Sequence, residues 1–192
     1  HLAWREWVEF VAELAEWEVK LGQADEPGLQ EALRNLQESV RMDFARVIEA
    51  NYPGWLAKRG TDRPPLSVYV VSEFLRPTLE VHGRVMLVVV DCLRLDQWAM
   101  IRPIVERNFD VEVEHYFSIV PTATPYSRNS IFSGLYPSEF FARHPAWWDE
   151  REETSLNAHE SELLVEQLRE LMGRDVPVHY EKIFSTPDGE AM

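Results

Sequence analysis

The chain of 192 residues, 45% of them hydrophobic, is long enough to bury a substantial core in one large domain or two small ones, which excludes intrinsic disorder. A formal net charge of -14 excludes a broad basic surface for coating nucleic acid, yet allows a small phosphate-bearing substrate, because divalent cations can dominate the field inside an acidic site. The single cysteine, Cys92, excludes an internal disulfide, and no stretch approaches the roughly 18–20 apolar residues of a membrane span.

The N-terminal residues His1 to Glu6 show no basic, apolar and small-residue sequence of an export signal, so a cytoplasmic protein is expected. From Trp7 the apolar residues Trp7, Phe10, Leu14, Trp17 and Leu21 recur every three or four positions, predicting a helix. Asp25 as N-cap and Pro27 in the first turn open a second helix, striped by Leu29, Leu33, Leu36, Val40, Phe44 and Val47. Trp4, Trp7 and Trp17 are expected to be core anchors. The hairpin reads either as a coupling or homodimerisation element or as a pair of helices packed on its own domain. Asn51 to Gly54 is expected to break the pattern, and Gly60 to Pro65 reads as a linker. The expected domains are therefore 1–62, helical, and 63–192.

Beyond the linker, Ser67 is placed to cap a helix with Val68, Val71, Leu75 and Leu79 on its apolar face, Pro77 inside it and Gly83 at its end. Val85 to Val90 is apolar without alternation, as in a strand covered on both faces of a parallel sheet. A helix over 95–108 and a β-rich stretch over 111–119 follow. Asn157 and Glu160 have capping-box spacing ahead of Leu163, Leu164, Leu168 and Leu171, and 179–184 reads as a strand. This alternation predicts an α/β layered fold with a mostly parallel sheet and a site at the carboxyl ends of its strands.

Asp91 closes the apolar run, where a carboxylate can hold a metal ion or cap the next helix. The segment Pro121-Thr122-Ala123-Thr124-Pro125-Tyr126-Ser127-Arg128-Asn129-Ser130-Ile131-Phe132-Ser133-Gly134-Leu135-Tyr136-Pro137 resembles the nucleophile segment of the alkaline phosphatase superfamily, with Thr124 on the nucleophile. A hydroxyl at a helix N-terminus lies beside free N–H groups and the positive end of the macrodipole, which favours a transferring phosphoryl group. Ordinary N-capping is the alternative role for Thr122 and Thr124.

The run Asp91-Cys92-Leu93-Arg94-Leu95-Asp96-Gln97-Trp98, the Gly134-Leu135-Tyr136-Pro137-Ser138 close and Trp147-Trp148 resemble the PglZ domain of PorX-like response regulators, with residues 1 to about 60 similar to their helical linker. The resemblance implies a zinc-dependent phosphodiesterase acting on cyclic or linear oligonucleotides, controlled by a receiver domain in the parent chain. Asp91 and Thr124 would share a metal ion, and Arg128 and Asn129 would contact phosphate or else pack the helix. It also implies that an Asp-x-x-x-His segment, an Asp-His pair and a further His complete a two-zinc site beyond Met192. One departure is Ser127, where the family's pyrophosphatases carry Asn. A non-catalytic signalling module that binds a regulatory protein or a nucleotide is the competing reading. Asp96 and Asp149 are secondary metal candidates. The histidines show no paired ligand spacing, and Cys92 is expected to be a small buried hydrophobe.

Overall fold

The structure, a computed structural model, describes residues 2–22, 26–57, 63–147 and 156–183. Asp25, Trp148, Asp149 and Phe184, together with part of the expected linker, 60–62, lie outside the described residues. The chain divides into two compact units, His1–Pro64 with Val89–His115, and Pro65–Val88 with Tyr116–Met192.

The first unit is built on the predicted hairpin. Helix α1, Trp4–Gly22, follows from its three-and-four apolar spacing and buries Trp7, Leu14 and Ala15. Helix α2, Pro27–Ala57, begins at Pro27, whose missing N–H costs nothing in a first turn. The Trp7 ring meets Phe44 at 5.4 Å, and Gln37 Nε2 donates to Glu18 Oε1 at 2.6 Å. Contacts in this order make the helices antiparallel. Trp17 is not a core anchor: it is 49% exposed, and its ring lies under Lys20 Nζ, 5.4 Å from the centroid. Nor does the chain break at Asn51 to Gly54. Pro53 sits inside α2 at the loss of one backbone hydrogen bond, and burial of Trp55 two residues on helps hold the helix together. Helix α4, Leu95–Val105, completes this unit. No described helix is long and apolar enough to cross a membrane.

In the second unit the apolar face predicted after Ser67 is observed: Val68, Val71, Leu75 and Leu79 are all buried. The helical run changes pitch twice, from a 3₁₀ turn at Ser67–Tyr69 through a π turn at Val71–Leu75 to α3, Arg76–His82. Pro77 explains the change, since it has no N–H to give the preceding turn and so falls at the start of α3 rather than in its interior. Gly83 ends α3 at φ 72°. Helices α5, Thr124–Ser133, α6, Pro137–Arg143, and α7, Glu160–Met172, close on this run. Val71, Leu75, Leu79, Phe132, Phe140 and Leu163 lie at the centre of their shared core.

The expected α/β layered fold with a mostly parallel sheet is overturned. Among the described residues there is no strand, and the pairing is an isolated parallel bridge between Leu66 and Phe117. Residues 85–90 are irregular, with Met86 79%, Val88 69% and Val90 58% exposed. Their apolar composition suits a central strand, but such a strand exists only with partners on both edges, and the described residues give it no ladder. The same holds over 111–119 and 179–183, where no ladder forms beyond the Phe117 bridge. That bridge is well made: Phe117 N–H donates to Pro65 O at 2.8 Å, Ser67 N–H to Phe117 O at 3.1 Å, and Ile119 N–H to Ser67 Oγ at 3.1 Å. Ser67 is therefore a buried tie between segments rather than a helix cap.

Candidate functional site

Helix α5 starts where its sequence says it should. Ala123 is extended, and its carbonyl accepts from the N–H groups of Tyr126 and Ser127, both at 3.0 Å, while Pro125 occupies a first-turn position that needs no donor. Thr124 is thus the first residue of the helix, not its cap. No side chain caps this end, and among the described residues the Thr124 hydroxyl makes no hydrogen bond. Thr124 is half-buried, while Thr122, two residues earlier, is exposed. Ser127 one turn on is engaged, its Oγ 3.0 Å from Ser118 Oγ.

The far side of α5 is fixed by polar contacts with the segment that leads into α7. Asn129 is buried and donates from Nδ2 to Leu156 O at 2.7 Å, while Asn157 Nδ2 donates to Asn129 Oδ1 at 3.2 Å. Arg128 Nη2 donates to Glu160 Oε2, and Glu160 is 0% exposed. The same carboxylate oxygen accepts from Tyr180 Oη, and Lys182 Nζ lies 3.9 Å away. Glu160 accordingly does not form the predicted capping box with Asn157, because its carboxylate is held inward by Arg128 and Tyr180.

Burial and the adjoining Glu160 carboxylate push the Tyr180 phenol up to about 12. A raised folded value means that this phenol stabilises the fold fully below the unfolded value near 10, and that the contribution is lost as pH rises towards about 12. Burial raises the Tyr116 phenol as well, so an ultraviolet titration of tyrosinate should show two tyrosines ionising late, and Tyr180→Phe should remove the step near 12 and leave that of Tyr116. A titration unchanged in Tyr180→Phe would place the step near 12 elsewhere.

Asp91 belongs to the first unit and Thr124, Arg128 and Asn129 to the second. Asp91 is exposed in a turn with Cys92, whose Sγ donates to Asp91 Oδ1 at 3.7 Å and whose backbone is left-handed at φ 58°. Cys92 is exposed, which corrects its expected burial: the turn puts its side chain in solvent. Asp96 is paired with Arg94 through contacts of 2.9 and 2.7 Å at the start of α4, and hydrogen bonding from Arg94 holds its carboxyl below the usual range. Arg94 N–H also donates to Gln97 Oε1 at 3.0 Å, so this turn is a helix-start motif.

Among the described residues no group of three or more His, Cys, Asp or Glu is placed to hold a metal ion, so a two-metal centre is not assembled from them. His144 and His159 instead sandwich Trp147, with ring centroids 4.1 and 4.4 Å from it. Sequence reasoning missed Glu160 as a partner of α5, and it missed Gln167 and Tyr180 altogether. A signal existed: Glu160 and Gln167 lie on the same three-and-four spacing as Leu163, Leu164 and Leu168, and a polar residue on a buried stripe needs a partner.

No curated protein matches the chain. Residues 1–56 match the PorX response regulator linker domain. Residues 70–192, well over half of the chain and including both Asp91 and Thr124, match the BREX system PglZ alkaline phosphatase-like domain, and the chain belongs to that PglZ family.

Proposed function

We propose that this chain carries the nucleophile of a phosphohydrolase that cleaves phosphodiesters of nucleotides or of cyclic or linear oligonucleotides, as the output domain of a response regulator. Two family matches support the setting: an alkaline phosphatase-like domain and, ahead of it, a response regulator linker, which implies a receiver domain in the parent protein. The observation that carries the chemistry is Thr124, a half-buried hydroxyl in the first turn of α5 that is not spent on capping.

In this reading the Thr124 hydroxyl loses its proton as its oxygen attacks phosphorus in line with the leaving alkoxide. The alkoxide takes up a proton and departs as the alcohol, and water then hydrolyses the threonyl phosphodiester to a phosphate monoester and restores the hydroxyl. The first turn of α5 contributes the positive end of its dipole to the developing charge. Asp91 is proposed as a metal ligand, with zinc as the metal and the other ligands outside the described residues. Arg128, paired with Glu160, and Asn129, bonded to Leu156 and Asn157, serve by holding α5.

The test is turnover of bis(p-nitrophenyl) phosphate and of a dinucleotide by the full-length protein, with zinc, after chelation, and after zinc is restored. Cleavage that is lost and regained with the metal is expected. Binding of a nucleotide or partner protein with no cleavage under any of these conditions would overturn the enzyme in favour of a non-catalytic signalling module.

A further inference from the structure

The C-terminal end of α5 presents the last carbonyls of the helix, which have no partner within it. A side chain from another helix supplies one. Gln167, on the buried face of α7, is 6% exposed and reaches across this end. With the amide oriented by the donors and acceptors around it, Nε2 donates to Ile131 O at 3.1 Å and Phe132 O at 3.0 Å, and Oε1 accepts from Gly134 N–H at 3.2 Å. All three amide contacts fall on four consecutive residues of backbone.

Gly134 is what allows this approach. Its backbone is left-handed at φ 68°, and a Cβ added there would lie 2.3 Å from the terminal amide atom of Gln167 and 3.0 Å from its Cδ. An alanine at 134 would therefore have to displace the glutamine. The glycine that closes the nucleophile segment thus serves the chain reversal and leaves room for a side chain from α7.

We propose that Gln167 is a positioning residue of the site. By binding the final turn of α5 it fixes the axial and rotational setting at which the other end of that ten-residue helix presents Thr124. This rests on the reading of Thr124 as nucleophile. Because α5 moves as one body, a small tilt at its C-terminal end is delivered to the Thr124 oxygen, and displacements near 1 Å cost on the order of a hundredfold in rate.

The experiment measures kcat and KM on bis(p-nitrophenyl) phosphate in the full-length, zinc-supplemented protein, beside the melting temperature. Gln167→Glu keeps the shape but, when ionised, cannot donate to Ile131 and Phe132. Its kcat is expected to fall about tenfold to a hundredfold at nearly unchanged KM, with the deficit relative to the parent protein narrowing as pH is lowered and the new carboxyl gains a proton. Gly134→Ala should also lower kcat, and by at least about threefold less when Gln167→Ala has already removed the amide.

Parent activity that is abolished in Thr124→Ala but unchanged in Gln167→Glu would overturn the positioning role alone. Independent, additive effects of Gly134→Ala and Gln167→Ala would do the same. Thr124→Ala at full activity would overturn the site reading, and the positioning role with it.

Discussion

Arg128→Met is expected to lower the unfolding free energy by about 3–5 kcal/mol, the usual cost of removing one partner from a buried ion pair. Glu160 is fully buried, and its Oε2 is held by Arg128 Nη2 and Tyr180 Oη, with Lys182 Nζ at 3.9 Å. Without the guanidinium, the carboxylate keeps a neutral phenol and a more distant ammonium, which is poor compensation for a charge withdrawn from water. Urea unfolding should show the loss as a lower midpoint at unchanged slope.

A second variant separates this mechanism from a general packing defect. Combining Arg128→Met with Glu160→Met replaces the pair by apolar groups of similar length and should recover most of the stability, because buried pairs contribute little net free energy relative to well-packed hydrophobes. Losses that simply add in the double variant would show that the two side chains do not act as a pair.

The helical elements were legible because each rests on local pattern. The stripes of α1 and α2, the buried face of Val68, Val71, Leu75 and Leu79, and the glycine stop at Gly83 are written in three-and-four spacing and in backbone freedom. The expected strands failed for the opposite reason. The apolar run from Val85 to Val90 describes a residue composition, whereas a strand is defined by its neighbours, and a sequence cannot show whether a ladder is available. Trp17 is a smaller example: it lies on the apolar spacing of α1, yet position on a stripe does not guarantee a covering element.

At the site the legible part was again local. The start of α5 at Thr124 and its close at Gly134 follow from proline in the first turn and glycine after the last. What holds the helix from the side comes from residues 27 to 48 positions away, Leu156, Glu160, Gln167 and Tyr180, the last through its ring contact with Phe132. Of these, Glu160 and Gln167 carried a sequence signature, as polar residues interrupting the leucine spacing of α7. A pair-by-pair assignment was beyond the pattern, since Asn157 and Glu160 also fit a capping box that the buried pairing with Arg128 prevents from forming.

Thr124→Ala discriminates most sharply between the roles open to this residue. A threonine that served as an ordinary N-cap would cost about 1 kcal/mol of stability on replacement by alanine and would leave any chemistry untouched. Thr124 is instead the first residue inside α5, with Ala123 at the cap and no side-chain hydrogen bond closing the end, and alanine is a good helix former at such a position. The expected signature is therefore inverted: unfolding stability within about 0.5 kcal/mol of the parent, and kcat for phosphodiester cleavage lower by roughly a thousandfold or more. Thr124→Ser retains the hydroxyl and should keep a measurable fraction of the rate. A variant that loses stability but cleaves normally would make Thr124 a structural residue and move the nucleophile elsewhere.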